Sequence, residues 1–75
     1  MSVVVWSKEN CFYCHMAKGL LEREGIEFEE RDIEGGEWTR ADMLASVPSA
    51  TTVPQILFDG EHVGGFTELQ GYLKG

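Results

Sequence analysis

The chain has 75 residues, 43% hydrophobic and 11% aromatic, a composition expected to fold as one small domain over residues 1–75 and unlike that of a disordered chain. Six Lys and Arg against 13 Asp and Glu give a formal charge of -7, which argues against sequence-independent binding to nucleic acid and favours solubility or docking to basic protein surfaces. No stretch approaches the ~18 consecutive apolar residues of a membrane span, and Met1-Ser2-Val3-Val4-Val5-Trp6 has neither a basic n-region nor a cleavage site, so a cytoplasmic chain without membrane association is expected.

Val3-Val4-Val5-Trp6 is a β-branched run of the kind that forms a strand buried on both faces, ending at Ser7. From Phe12 to about Glu24, Ala17, Leu20 and Leu21 share one helical face, and Gly25 supplies a C-terminal stop. Ile26 to Ile33 reads as a strand with one wet face near a sheet edge. Together these three form a βαβ unit, with parallel strands and the helix N-terminus at the carboxyl end of the first strand.

After Gly35-Gly36 a second helix is predicted from Glu37 to about Ser46, with Trp38, Met43 and Leu44 facing inward, followed by a loop from Val47 to Thr52. Pro54 to Phe58 and Glu61 to Val63 flank Asp59-Gly60, the signature of a hairpin on a two-residue turn. Thr67-Glu68-Leu69-Gln70 has the form of a capping box, so a last helix is predicted to start there and to bury Leu69, Tyr72 and Leu73. The order is βαβαββα.

The chemistry lies in Cys11-Phe12-Tyr13-Cys14-His15. C-x-x-C-H satisfies the haem-attachment pattern literally, but that use belongs to exported chains. A closed zinc site needs four ligands, and this chain has two Cys and two His, with His15 adjacent to Cys14 and His62 in the predicted hairpin. The remaining reading is a redox dithiol, since a lone C-x-x-C pair in a reducing compartment is not a structural staple. Cys11 would sit at the helix N-terminus, where unsatisfied N–H groups and the macrodipole favour a thiolate, making it the nucleophile. Cys14, one turn further in and more buried, would be the resolving thiol. Lys8 adds a cation nearby, and Tyr13 is expected to be exposed beside the sulfur. Phe12 and Trp38 are each candidates for a client-binding patch or for packing.

Three separated segments, Trp6 to Cys14, Thr52-Val53-Pro54-Gln55-Ile56 and His62 to Leu69, together resemble the glutaredoxin family over essentially the whole chain. The resemblance implies a thioredoxin-like α/β fold, a four-stranded mixed sheet flanked by three helices, working as a thiol-disulfide oxidoreductase with glutathione as co-substrate and no tightly bound cofactor. It implies that Val53-Pro54 is cis, leaving the Val53 backbone free to pair with the cysteine of a bound peptide as a short strand addition. It also implies a glutathione site. The γ-glutamyl carboxylate would meet the Phe66 and Thr67 N–H groups and the Thr67 hydroxyl, Glu68 the ammonium, and Lys8 the glycyl carboxylate, with Tyr13 beside the sulfur and Thr52 and the Gly64-Gly65 turn completing the site. The implied partners are glutathione and disulfide-containing or glutathionylated proteins, ribonucleotide reductase among them, acted on by a monomer. Two features depart from the family pattern: Phe12 stands where proline usually follows the first cysteine, and Thr67 where an acidic residue is common. The alternatives are a small redoxin recharged by thioredoxin reductase and a module in which Cys11 of two chains and two glutathiones hold an iron-sulfur cluster.

Overall fold

Val3–Ser7 forms β1, and the computed structural model, which describes residues 2–75, places it inside a four-stranded sheet. The other elements follow as α1 (Phe12–Arg23), β2 (Glu29–Asp32), α2 (Arg40–Ser46), β3 (Gln55–Phe58), β4 (Glu61–Gly64) and α3 (Phe66–Lys74). The sheet order is β2-β1-β3-β4, with β1 parallel to β2 and antiparallel to β3, and β3 antiparallel to β4. This is the predicted mixed α/β architecture. The interior strands carry the apolar runs and the edges carry the charge, because only an edge can leave one face wet.

Alternation along β1 divides the core between two layers. Val3 and Val5 pack with Ala17 and Leu21 of α1, Ile56 and Phe58 of β3 and Leu69 of α3. Trp6 points the other way, into a cluster with Cys14, Ile33, Met43, Val47, Val53 and Leu57. The second layer therefore reaches one cysteine and the loop before β3 directly.

Boundaries differ from expectation for identifiable reasons. β2 is shorter than the run from 26 to 33; Ile26 and Phe28 instead pack on the first core layer from the connection after α1. α2 starts at Arg40 rather than Glu37, because Thr39 is its N-cap and Asp42 completes a capping box, with the Asp42 N–H donating to Thr39 Oγ1 at 3.2 Å and the Thr39 N–H to Asp42 Oδ2 at 2.8 Å. Trp38 thus lies outside the helix, edge-on to Trp6 with centroids 5.4 Å apart, and the Arg31 guanidinium sits 4.4 Å from the Trp38 ring centroid and 5.1 Å from that of Trp6. Leu44 is exposed, not inward.

At α3 the predicted capping box is corrected. The N-cap is Gly65, and Glu68, not Gln70, reaches back to accept the Gly65 N–H at 2.8 Å. The helix consequently begins at Phe66, one residue before Thr67. Leu69 is buried and Leu73 half-buried as expected, but Tyr72 is exposed, its ring resting on Phe58 at 4.7 Å. The hairpin turn is as predicted: Asp59 and Gly60 both have positive φ, 52° and 83°, as a two-residue turn of this type requires.

Where β1 and β2 meet α1, the buried Ser7 hydroxyl donates to Glu30 Oε2 at 2.7 Å and Lys18 Nζ donates to the same oxygen at 2.6 Å. The Lys18 bond, joined by that from Ser7, holds the Glu30 carboxyl below its ordinary value of 4.5, against the opposing effect of burial. A carboxyl lowered in the folded state stabilises the fold above its unfolded value, and that contribution is lost as pH falls through the folded value. Glu30→Gln is expected to lower the melting temperature at pH 7, with the gap to wild type closing in melts taken progressively below about pH 4. A gap independent of pH would exclude this linkage.

Candidate active site

Cys11 is the N-cap of α1 (φ -138°, ψ 108°), and its Sγ accepts the Cys14 N–H at 3.2 Å. The spacing of three puts both sulfurs on one side of the first turn, where they form a disulfide with Cα atoms 5.2 Å apart. Their surroundings differ sharply. Cys14 is fully buried in the layer containing Trp6, whereas Cys11 is half-buried at the helix tip.

The loop before β3 closes over this tip. Its Val53-Pro54 bond is cis, as the resemblance implied, and the Val53 carbonyl oxygen lies 3.7 Å from Cys11 Sγ. A disulfide sulfur has no proton to donate, so this is a packing contact rather than a hydrogen bond. The same carbonyl accepts a long bond, 3.3 Å, from Thr52 Oγ1.

Beside the disulfide runs a groove of about 280 Å³ walled by Tyr13, Thr52, Val53, Pro54, Gln55, Gly65, Phe66, Thr67 and Glu68. Nearly all the residues that the resemblance assigns to a glutathione site therefore come together there. Lys8 is the exception: it follows β1, half-buried, and is not part of the groove wall. One end of the groove is the N-terminus of α3. A helix's first N–H groups have no intrahelical acceptor, and Gly65 as N-cap has no side chain to serve them. Glu68 satisfies only the Gly65 N–H, leaving those of Phe66 and Thr67 available to an anion. The adjoining rim is aromatic. Tyr13 is exposed, 6.0 Å from Phe66 and 5.3 Å from Phe12, which is 70% exposed and so presents its ring to solvent beside the disulfide.

In sequence Gln55 lies at the start of a strand run and His62 in the hairpin that follows; both prove to be tied to the loop that carries Val53. Gln55 is buried, donating from Nε2 to the Thr52 carbonyl at 2.8 Å and facing His62 Nε2 across 2.7 Å with Oε1. The available signal was one amide in the otherwise apolar run Gln55-Ile56-Leu57-Phe58.

The glutaredoxin family model matches residues 3–63, spanning the dithiol, the cis-proline loop and most of the hairpin. The chain belongs to the glutaredoxin family. Its thiol-disulfide oxidoreductase chemistry is accordingly that of the Cys11–Cys14 pair. Glutaredoxin 3 of Escherichia coli strain K12 is 43% identical over 68 residues, covering 91% of this chain and 81% of that one. In structure, glutaredoxin 1 of Francisella tularensis, solved with cacodylate, superposes with a TM-score of 0.83 at 32% identity, covering 97% of this chain and 92% of that one. A buckwheat glutaredoxin solved as its glutathione complex superposes with the same TM-score of 0.83 at 25% identity, covering 96% and 67%. Among the described residues no helix is long and apolar enough to cross a membrane.

Proposed function

We propose that this glutaredoxin reduces glutathione mixed disulfides and protein disulfides at the expense of glutathione. The observation that carries the reading is the groove beside Cys11, which joins a helix N-terminus with free N–H groups to the backbone of Val53. Glutathione offers a carboxylate for the first and a cysteine backbone for the second. The buckwheat glutaredoxin solved with glutathione supports the same choice of ligand.

In the proposed cycle the Cys11 thiolate, favoured by the helix terminus and the Cys14 N–H, attacks the glutathione sulfur of a client mixed disulfide. The client leaves as a thiolate and takes a proton from solvent; Cys11 is left joined to glutathione. A second glutathione thiolate then attacks that sulfur, releasing glutathione disulfide and restoring the Cys11 thiolate. With a protein disulfide, Cys11 first bonds to the client. Cys14, deprotonated, attacks the Cys11 sulfur, the client departs reduced, and two glutathiones return the resulting Cys11–Cys14 disulfide to the dithiol. Burial of Cys14 restricts it to this internal attack.

Lys8 is proposed to act on the glycyl carboxylate from beyond the groove wall, and Glu68 to share its carboxylate between the Gly65 cap and the ligand's ammonium. The proposed setting is the cytoplasm, the protein a monomer with no resident cofactor, and ribonucleotide reductase is a client of suitable chemistry. The test is NADPH oxidation on a small mixed disulfide, coupled through glutathione and glutathione reductase or through thioredoxin reductase. Turnover is expected through glutathione. Turnover through thioredoxin reductase alone would replace this reading with that of a redoxin recharged by thioredoxin reductase.

A further inference from the structure

The segment that carries Val53 belongs to no helix or strand, yet it lies against the reactive sulfur. Its best-defined tether is a side chain. Gln55, 8% exposed at the start of β3, reaches back to the Thr52 carbonyl, one peptide before the cis bond. The polarity of the contact follows from chemistry: a carbonyl oxygen can only accept, so the amide Nε2 faces Thr52 and Oε1 faces β4. Because Oε1 also only accepts, His62 Nε2 must carry a proton. Both the neutral Nε2–H tautomer and the imidazolium meet that condition. The arrangement is therefore a directed chain, His62 to Gln55 to the Thr52 carbonyl, and it connects an exposed strand edge to the loop beside Cys11.

We infer that Gln55 and His62 are positioning residues, which hold the Thr52 carbonyl and through it the Val53 peptide group at the level of Cys11 Sγ, where the backbone of a substrate cysteine pairs. The inference rests on the glutathione reading above, since it assigns a purpose to the Val53 backbone. Neither side chain touches the reacting sulfurs. Their effect falls on how the substrate is held, so it appears in KM ahead of kcat.

Four variants separate this role from general support of the sheet. Gln55→Leu keeps the approximate volume and removes both bonds. Gln55→Glu keeps an acceptor for His62 but has no donor for Thr52. His62→Ala removes the outer donor, and His62→Gln restores one. On a glutathionylated peptide, with glutathione and its reductase, Gln55→Glu is expected to raise KM about tenfold, the effect of one hydrogen bond, and Gln55→Leu by at least as much, with kcat falling by no more than about twofold. His62→Ala is expected to raise KM by a smaller factor, and His62→Gln to recover most of it. Melting temperatures that fall while KM stays at the wild-type value would overturn the inference, as would a Gln55→Glu variant with wild-type KM. Should the Gln55 variants fail to fold, the exposed His62 pair decides: equal KM in His62→Ala and wild type overturns it, while a raised KM reversed by His62→Gln upholds it. Wild-type protein that does not turn over the glutathionylated peptide at all would instead defeat the glutathione reading, before any variant is compared.

Discussion

Replacing Cys11 with Ser is expected to abolish turnover of both glutathione mixed disulfides and protein disulfides, a loss of at least about three orders of magnitude, because a serine hydroxyl neither ionises near neutral pH nor forms a disulfide. Cys14→Ser is expected to behave differently: it keeps turnover of a small glutathione mixed disulfide to within about tenfold, since a second glutathione can resolve the intermediate, and it loses the internal route for protein disulfides. The asymmetry comes from geometry. Cys11 is accessible at the helix tip and Cys14 is sealed among Trp6, Met43 and Val53. Placing a hydroxyl at that sealed position costs about 1–3 kcal/mol, so Cys14→Ser should be compared at a temperature well below its own melting point. Equal loss in both variants, each folded, would mean that the two sulfurs do not divide the work in this way.

Gly64→Ala is expected to be the most damaging single methyl group in the site. Gly64 has φ +127°, a conformation L side chains rarely adopt, and an added Cβ would lie 2.8 Å from Glu68 Cγ and 2.9 Å from Glu68 Cβ. Strain of about 1–3 kcal/mol adds to overpacking of similar size, so unfolding free energy should fall by about 2–6 kcal/mol. Such a loss is a large fraction of the total for a chain of this length. The same displacement pushes Glu68 off the Gly65 N–H and shifts the start of α3, so KM for glutathione should rise as stability falls. Urea unfolding and steady-state kinetics on one preparation check both effects. A variant of wild-type stability would show that the turn relaxes freely.

What could be read from the sequence divides along physical lines. The β-branched run at Val3 to Trp6, the cysteine spacing and the Asp59-Gly60 turn express local rules, and each appears where those rules place it. The cap of α3 differs from the expected one because Thr67 and Gln70 satisfy the capping pattern in sequence, while the cap in the fold uses Gly65, which has no side chain to advertise it, and Glu68. Tyr72 rests on Phe58, but two residues from the end of α3 it is left half outside. In sequence, Arg31 is one charge among several between Ile26 and Ile33. It covers Trp6 and Trp38 only because the parallel register of β1 and β2 sets it opposite Trp6. Gln55 and His62 belong to the same class: their bond joins neighbouring strands whose register includes a bulge between Ile56 and Leu57, which no local pattern announces. Lys8 shows the reverse, a charge close to the dithiol in sequence that folding leaves outside the groove wall.

The most direct test of the central claim, that the groove between Val53 and the start of α3 holds glutathione, is the amide NMR spectrum of the Cys14→Ser variant before and after Cys11 is converted to its mixed disulfide with glutathione. The expected result is that the Val53, Phe66 and Thr67 amides move most, through new hydrogen bonds to the ligand, while those around Glu27 and Phe28, in a separate surface depression, stay in place. A mixed disulfide that forms fully and leaves Val53, Phe66 and Thr67 unmoved would contradict the account, because glutathione would then be attached to Cys11 without being bound by the groove.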